Sequence, residues 1–426
     1  MIKRVLKNKR FLNFFIYGLG QGINLVSPLL VAPYIMSVCG EDGFAKVGVG
    51  FSMALFLILI VDYSFEIKGP KEVSENRDNL EKLQEIANTT FFSKFLIFII
   101  VFLSICMLIF FIPFLYKEKE LYFLSITVIL AQVCNPTWFL QGVENFRLVS
   151  ILNVISKCIF ILLVFSLVKQ KSDYIFVNLY LGSSTLFFNL LGLIYVKFSY
   201  KIAIVLPDLN KVKAVLKADF SICISQLFLS ARQLSPLIII SNTLGYNMGG
   251  QYRVLEQIMS MFRTFIQVFL RFFYPSVCYK VSKNSSEGFT YWRTYSALSI
   301  IFITAVVAVM YIYSAQLLGY FNVSQNSIPT LNTVFRISLI IPLLMSMSFP
   351  LEQLMFVVNK NKAYVTIIIC VAMVTIATIL IVVKHYGILG VVISLIFSEI
   401  LVITFYFKHS YLFLKHETGK NNVLKT

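Results

Sequence analysis

A chain of 426 residues that is 58% hydrophobic and only 13% charged is too apolar for a water-soluble domain. Its net charge of +17 does not mark a nucleic-acid binder, because the basic residues are scattered over short loops and never gathered into one patch. Apolar runs of about 20 residues recur along the whole length, which excludes a soluble protein held by a single anchor.

The N-terminus, MIKRVLKNKR, is basic and precedes an apolar stretch over 11–38. That stretch is too long for a signal peptide and lacks a small-residue cleavage site, so it reads as a retained first span. Asn13, Tyr17, Gln21, Asn24 and Pro28 share one of its faces. They form either a polar wall of a cavity or a seam of interhelical hydrogen bonds. Further spans are expected over 44–65, 92–116, 121–142, 148–168 and 174–198. A second set follows over 220–242, 250–277, 294–320, 332–358, 364–383 and 387–407. The expected fold is therefore an all-α polytopic membrane protein of about twelve transmembrane helices in two six-helix bundles, 1–198 and 218–407. A linker over 199–217 joins them and a tail over 408–426 follows.

Loop charge orients the chain. The N-terminus, the even-numbered loops and the tail carry 25 basic residues, Lys68, Lys82, Lys94 and Arg147 among them. The opposite side carries six: Lys46, Lys117, Lys119, Lys169, Lys171 and Lys384. The positive-inside rule then puts both termini in the cytoplasm. The long polar loops over 68–90 and 199–218 fall on the same inner side, and KEVSENRDNLEKLQEIANTT has the pattern of a surface amphipathic helix. Trp138 and Trp292, close to the inner face, are expected to be interfacial anchors. The seven cysteines lie singly and the three histidines form no cluster, so neither a metal centre nor a cofactor is expected.

One stretch departs from this apolar regularity. In QYRVLEQIMSMFRTFIQVFLRFFYPSV, residues Arg253, Glu256, Ser260, Arg263, Gln267 and Arg271 recur at spacings of three or four. On a helix they form one stripe rising ~27 Å at 1.5 Å per residue, close to the hydrocarbon thickness. Guanidiniums do not face lipid cheaply, so the stripe should face protein interior or water. It is either a cationic rail for an anionic cargo, or a set of arginines satisfied by Glu256 and backbone carbonyls. Lys157, Arg232 and Arg336 also lie within spans, where they join a cationic cavity or, for the two arginines, reach toward headgroups.

The halves show a weak internal repeat. Ser-Pro-Leu recurs around Ser27 and Ser235, each time followed by a Gly-rich turn and a new span. Pro136 precedes Asn145, and Pro350 precedes Asn359, by the same nine residues. An axis along the membrane normal would relate such halves, with a substrate site near the midplane between them. Pro28, Pro136, Pro236, Pro342 and Pro350 are expected to bend their helices.

Four pieces of sequence carry a family resemblance: LVSPLLVAPYIMSVCGEDGF, VDYSFEIKGPKEVSENRDNLEKL, NPTWFLQGVENFR (135–147) and LGYNMGGQYRVLEQI. Over 9–407 the chain resembles the Wzx-type O-antigen flippases, polysaccharide exporters of the MATE-like (MOP) superfamily. The resemblance implies a two-bundle, twelve-helix transporter in the bacterial inner membrane. It also implies alternating access that moves undecaprenyl-diphosphate-linked repeat units from the cytoplasmic to the periplasmic leaflet. Coupling to a proton or sodium gradient, and a polymerase and chain-length regulator as partners, are implied in the same way. A diphosphate suits the arginine stripe, and Asn13, Gln21, Asn24, Gln226, Gln233 and Gln267 offer polar groups to a glycan. Asp62, Glu66, Glu144 and Glu256 are candidates for ion coupling, and Glu352 and Glu399 also lie in spans. A MATE-type exporter of small molecules would want carboxylates where this chain has mostly mid-span cations. A membrane polymerase or ligase would need an acid, base or metal cluster on outer loops that are too short to carry one.

Overall fold

The computed structural model describes residues 9–358 and 360–423, all in helices and short connections with no strand among them. The side chains of Asn13, Tyr17, Gln21, Asn24 and Arg271, which the sequence places on polar faces, lie outside the described residues. Among the described residues, nine segments are long and apolar enough to cross a membrane, from Val26–Asp62 to Lys362–Ser410. The helix bearing the arginine stripe is as long but more polar.

The chain divides into two compact units, Met1–Ser230 and Ala231–Thr426. The first holds α1 (Lys9–Asp62), α2 (Phe65–Glu75), α3 (Leu80–Phe111) and the one-turn α4 (Pro113–Tyr116). It continues with α5 (Lys119–Val133), α6 (Thr137–Gly142), α7 (Phe146–Leu167), α8 (Tyr174–Ser199) and the start of α9 (Leu209–Thr243). The second holds the rest of α9, then α10 (Tyr246–Lys283), α11 (Ser285–Ile312) and α12 (Ser314–Tyr320). It closes with α13 (Ile328–Ser338), α14 (Ile340–Val357) and α15 (Asn361–Val423).

Both α1 and α15 are two spans run together and folded at one glycine. Gly40 has φ 76° and Gly387 φ 58°, a region that side chains with a Cβ enter only at a cost. The prolines act as their chemistry requires. Pro136 caps α6 and so separates it from α5, whereas Pro28, Pro236 and Pro350 lie inside their helices.

Without a hydrophobic drive between helices in lipid, small residues and buried amides do the joining. In unit 1, α5 packs on α8 and α1 on α7. A Cβ at Gly182 of α8 would come within 2.6 Å of the Val128 backbone nitrogen on α5. Asn178 Nδ2 donates to Ser125 Oγ at 2.9 Å, and Asn189 Nδ2 to the Ala131 carbonyl at 2.7 Å. The sequence-based expectation for Trp138 is corrected here. It is fully buried, packed with Val73, Leu83, Phe139 and Val149, and its ring fills the space that a Cβ on Gly69 would need. Trp292 is half-buried and donates its Nε1 to the Pro350 carbonyl at 3.1 Å.

Candidate functional site

The stripe predicted from Arg253 to Arg271 lies on α10, one uninterrupted helix that begins just after Gly245, whose φ is 91°. Within unit 2 it meets the end of α9 and the second span of α15 around a cavity of about 30 Å³, room for about one water. Arg232, Gln233, Tyr252, Glu256, Arg263 and Glu399 line it, with apolar residues of α10, α14 and α15 filling the gaps.

Arg232 is buried, not snorkelled to headgroups. Its Nη2 reaches Glu399 Oε1 at 2.5 Å and its Nη1 reaches Ser398 Oγ at 3.1 Å. Glu399 is satisfied on its other side, where Ser348 Oγ donates to Oε2 at 2.9 Å, and Thr375 Oγ1 donates to Ser398 at 2.8 Å. A charge in this setting persists only when such a network surrounds it. Arg253 pairs with Glu256 one turn along α10, as i and i+3 spacing allows.

Arg263 differs from both. Its Nη1 donates to Gln233 Oε1 at 3.3 Å, and among the described residues no carboxylate lies within 4.0 Å of it. Two guanidiniums, Arg232 and Arg263, line the cavity with Glu256 and Glu399. Glu399 pairs with Arg232 and Glu256 with Arg253, so Arg263 is the one lining cation without an ion pair among the described residues. Gln267 continues the same face and is half-buried. Arg336 is not brought to this cluster: it is exposed, stacks over the Tyr311 ring at 4.7 Å and donates its Nε to Ser314 Oγ at 3.0 Å.

Unit 1 carries a second polar centre. Lys94, which the loop count assigns to water, is completely buried in α3. Its ammonium lies 2.9 Å from Asp62 Oδ1 and 3.0 Å from Glu66 Oε1. Gln132 Nε2 donates to Asp62 Oδ2 at 2.9 Å and to Glu66 Oε1 at 3.3 Å, and Asn135 Nδ2 donates to the Gln132 amide oxygen. Two carboxylates thus share one buried cation, leaving a net negative site. Glu144 is elsewhere: exposed, at φ 59°, and bonded to Arg77 at 2.8 Å. Lys157 is half-buried midway along α7, with no ion-pair partner among the described residues.

Sequence reasoning missed Lys94 as a buried residue and Glu399 as the partner of Arg232. Lys94 stands at the start of the apolar part of α3, in FFSKFLIFII, and Glu399 stands alone in GVVISLIFSEILVITFYF. Both positions signal burial, but neither names its partner.

Comparison with known proteins places these sites in context. A "Putative O-antigen transporter" of Shigella dysenteriae is 24% identical over 405 residues, covering 93% of this chain and 98% of that protein. One from Escherichia coli (strain K12) is 22% identical over 268 residues, 63% of this chain, and the match spans 65% of its length. Among solved structures, an inward-facing multidrug resistance MATE family transporter of the MOP superfamily aligns over 92% of this chain and 94% of its own. The TM-score is 0.72 at 14% identity, so the likeness is one of fold. The family model for polysaccharide biosynthesis proteins matches residues 11–278, nearly two thirds of the chain, and the chain belongs to that family.

Proposed function

We propose that this protein is a lipid-linked oligosaccharide flippase. It carries undecaprenyl-diphosphate-linked O-antigen repeat units from the cytoplasmic to the periplasmic leaflet of the bacterial inner membrane, with both termini in the cytoplasm. The observation that carries this reading is Arg263, a guanidinium near the middle of α10 that lines a cavity and has one neutral hydrogen-bond partner. A free guanidinium in a low-dielectric setting favours an anion that can take two parallel hydrogen bonds, as a phosphate oxygen pair does. Gln233, already aimed at Arg263, releases it at the cost of one amide bond. The cavity has space for about one water, so entry of a diphosphate requires it to widen, as alternating access provides. The polyprenyl tail remains in lipid throughout.

The Asp62–Glu66–Lys94 centre fits the coupling step. Two carboxylates around one ammonium are neutralised by one added proton or sodium ion. Drug export is the weaker reading, because the unpaired charge in unit 2 is cationic.

The test is surface O-antigen in a deletion strain complemented with variants. Arg263→Ala should lower it at least tenfold at normal protein level, with lipid-linked units accumulating on the cytoplasmic leaflet. Arg263→Lys should retain part of the activity. Wild-type polysaccharide from the Ala variant would remove Arg263 from the mechanism, and unpolymerised units outside the cell would point to a polymerase.

A further inference from the structure

Unit 1 has a groove of about 460 Å³ between α3, α5 and α8, well within the size range of ligand sites. Its wall is apolar, formed by Phe91, Phe95, Cys134 and Ile194 among others, and its rim carries Asn88 and Lys197. The rim lies where α3 changes character, from the charged and polar LEKLQEIANTT to the apolar run that begins at Phe91. That change marks a boundary between water and hydrocarbon.

The segment after α8 closes the rim. Ile202 is buried in the Trp138 cluster, Asn88 Nδ2 donates to the Ala203 carbonyl at 2.9 Å, and the Ala203 amide donates to Gln84 Oε1 at 3.4 Å. With its backbone thus fixed, the segment presents Ile204 and Leu206 to the outside, 78% and 80% exposed. Tyr195 and Phe198 stand exposed on the neighbouring turn, as interfacial aromatics do. Charge at this rim is positive. Lys197 and Lys201 have no carboxylate within 4.0 Å among the described residues, and the nearby Glu85 is already held by Lys82 at 3.0 Å and Lys211 at 2.6 Å. The groove therefore offers an apolar slot under a cationic lip.

We propose that this groove binds an anionic phospholipid, with one acyl chain in the slot and the phosphate over Lys197 and Lys201. A neutral zwitterionic lipid gains the same apolar contact but little from the lysines. Each lysine near an anionic headgroup is worth ~1 kcal/mol, or roughly fivefold in affinity.

The experiment is native mass spectrometry of the full-length protein in mild detergent, titrated with phosphatidylglycerol, phosphatidylethanolamine or undecaprenyl phosphate. One phosphatidylglycerol should be retained in clear preference to phosphatidylethanolamine. Lys197→Glu should weaken that retention about 25-fold, since it reverses a charge and so counts the fivefold factor twice. Ile194→Trp, at a position 51% exposed and so tolerant of bulk, should block the slot and abolish retention with the lysines intact. Equal retention of the two phospholipids, or no effect of either substitution, overturns the proposal. Preferential capture of undecaprenyl phosphate also overturns it, because the occupant is then the cargo's own lipid.

Discussion

The most consequential side chains here are those whose charge is enclosed. Arg232 and Glu399 are 7% and 3% exposed, so removing one strands the other as an unpaired buried charge. Arg232→Ala or Glu399→Ala should each cost about 3–5 kcal/mol, read as a lowered unfolding midpoint in detergent. An apolar pair, Arg232→Met with Glu399→Leu, should be much milder, because no uncompensated charge remains. Asp62→Asn makes a different prediction. It leaves Lys94 with Glu66 and so preserves one ion pair, but it removes the surplus negative charge. Transport in that variant should lose its response to collapse of the proton or sodium gradient, and a wild-type response would exclude Asp62 from coupling. Of the four acids that the sequence singles out for this role, Glu256 is paired to Arg253 and Glu144 sits exposed beside Arg77.

At the level of helices, close approach sets the packing. Gly182→Ala would press a Cβ against the Thr127 hydroxyl and, at 2.6 Å, against the Thr127 and Val128 backbone of α5; the hydroxyl can turn aside but the backbone cannot. A loss of about 2 kcal/mol or more in stability is expected, measured by thermal unfolding. The helices themselves were legible in the sequence. Apolar runs located the spans, and the three-and-four spacing placed Arg253, Glu256 and Arg263 on one face because α10 runs unbroken from Tyr246 to Lys283. Partnerships between helices were not legible. Arg232 and Glu399 are 167 residues apart, and no local pattern couples them. Lys94 read as a loop lysine because charge normally seeks water; only the approach of α1, α2 and α5 gives it two carboxylates and an amide. Trp138 misled for the related reason that its ring serves as packing for Gly69.

For the molecule as a whole, the basic bias of alternate loops is the largest electrostatic feature, and it predicts topology. A green fluorescent fusion at the C-terminus should glow, and an alkaline phosphatase fusion at the same point should stay inactive. The reverse result would invert the membrane orientation and with it the direction of transport. Family membership and the MATE-like fold agree on a transporter scaffold, and the anionic cargo proposed above rests on Arg263 in unit 2.

The burial of Trp138 has a practical consequence. The chain has two tryptophans, Trp138 in the first unit and Trp292 in the second, so each unit contains one intrinsic fluorophore. Trp138 is sealed in an apolar side-chain cluster with its indole N–H unpartnered, whereas Trp292 donates to a carbonyl. Their emission maxima should differ, with Trp138 the bluer. A Trp292→Phe variant would then let a spectrometer follow one unit through a transport cycle with no added dye.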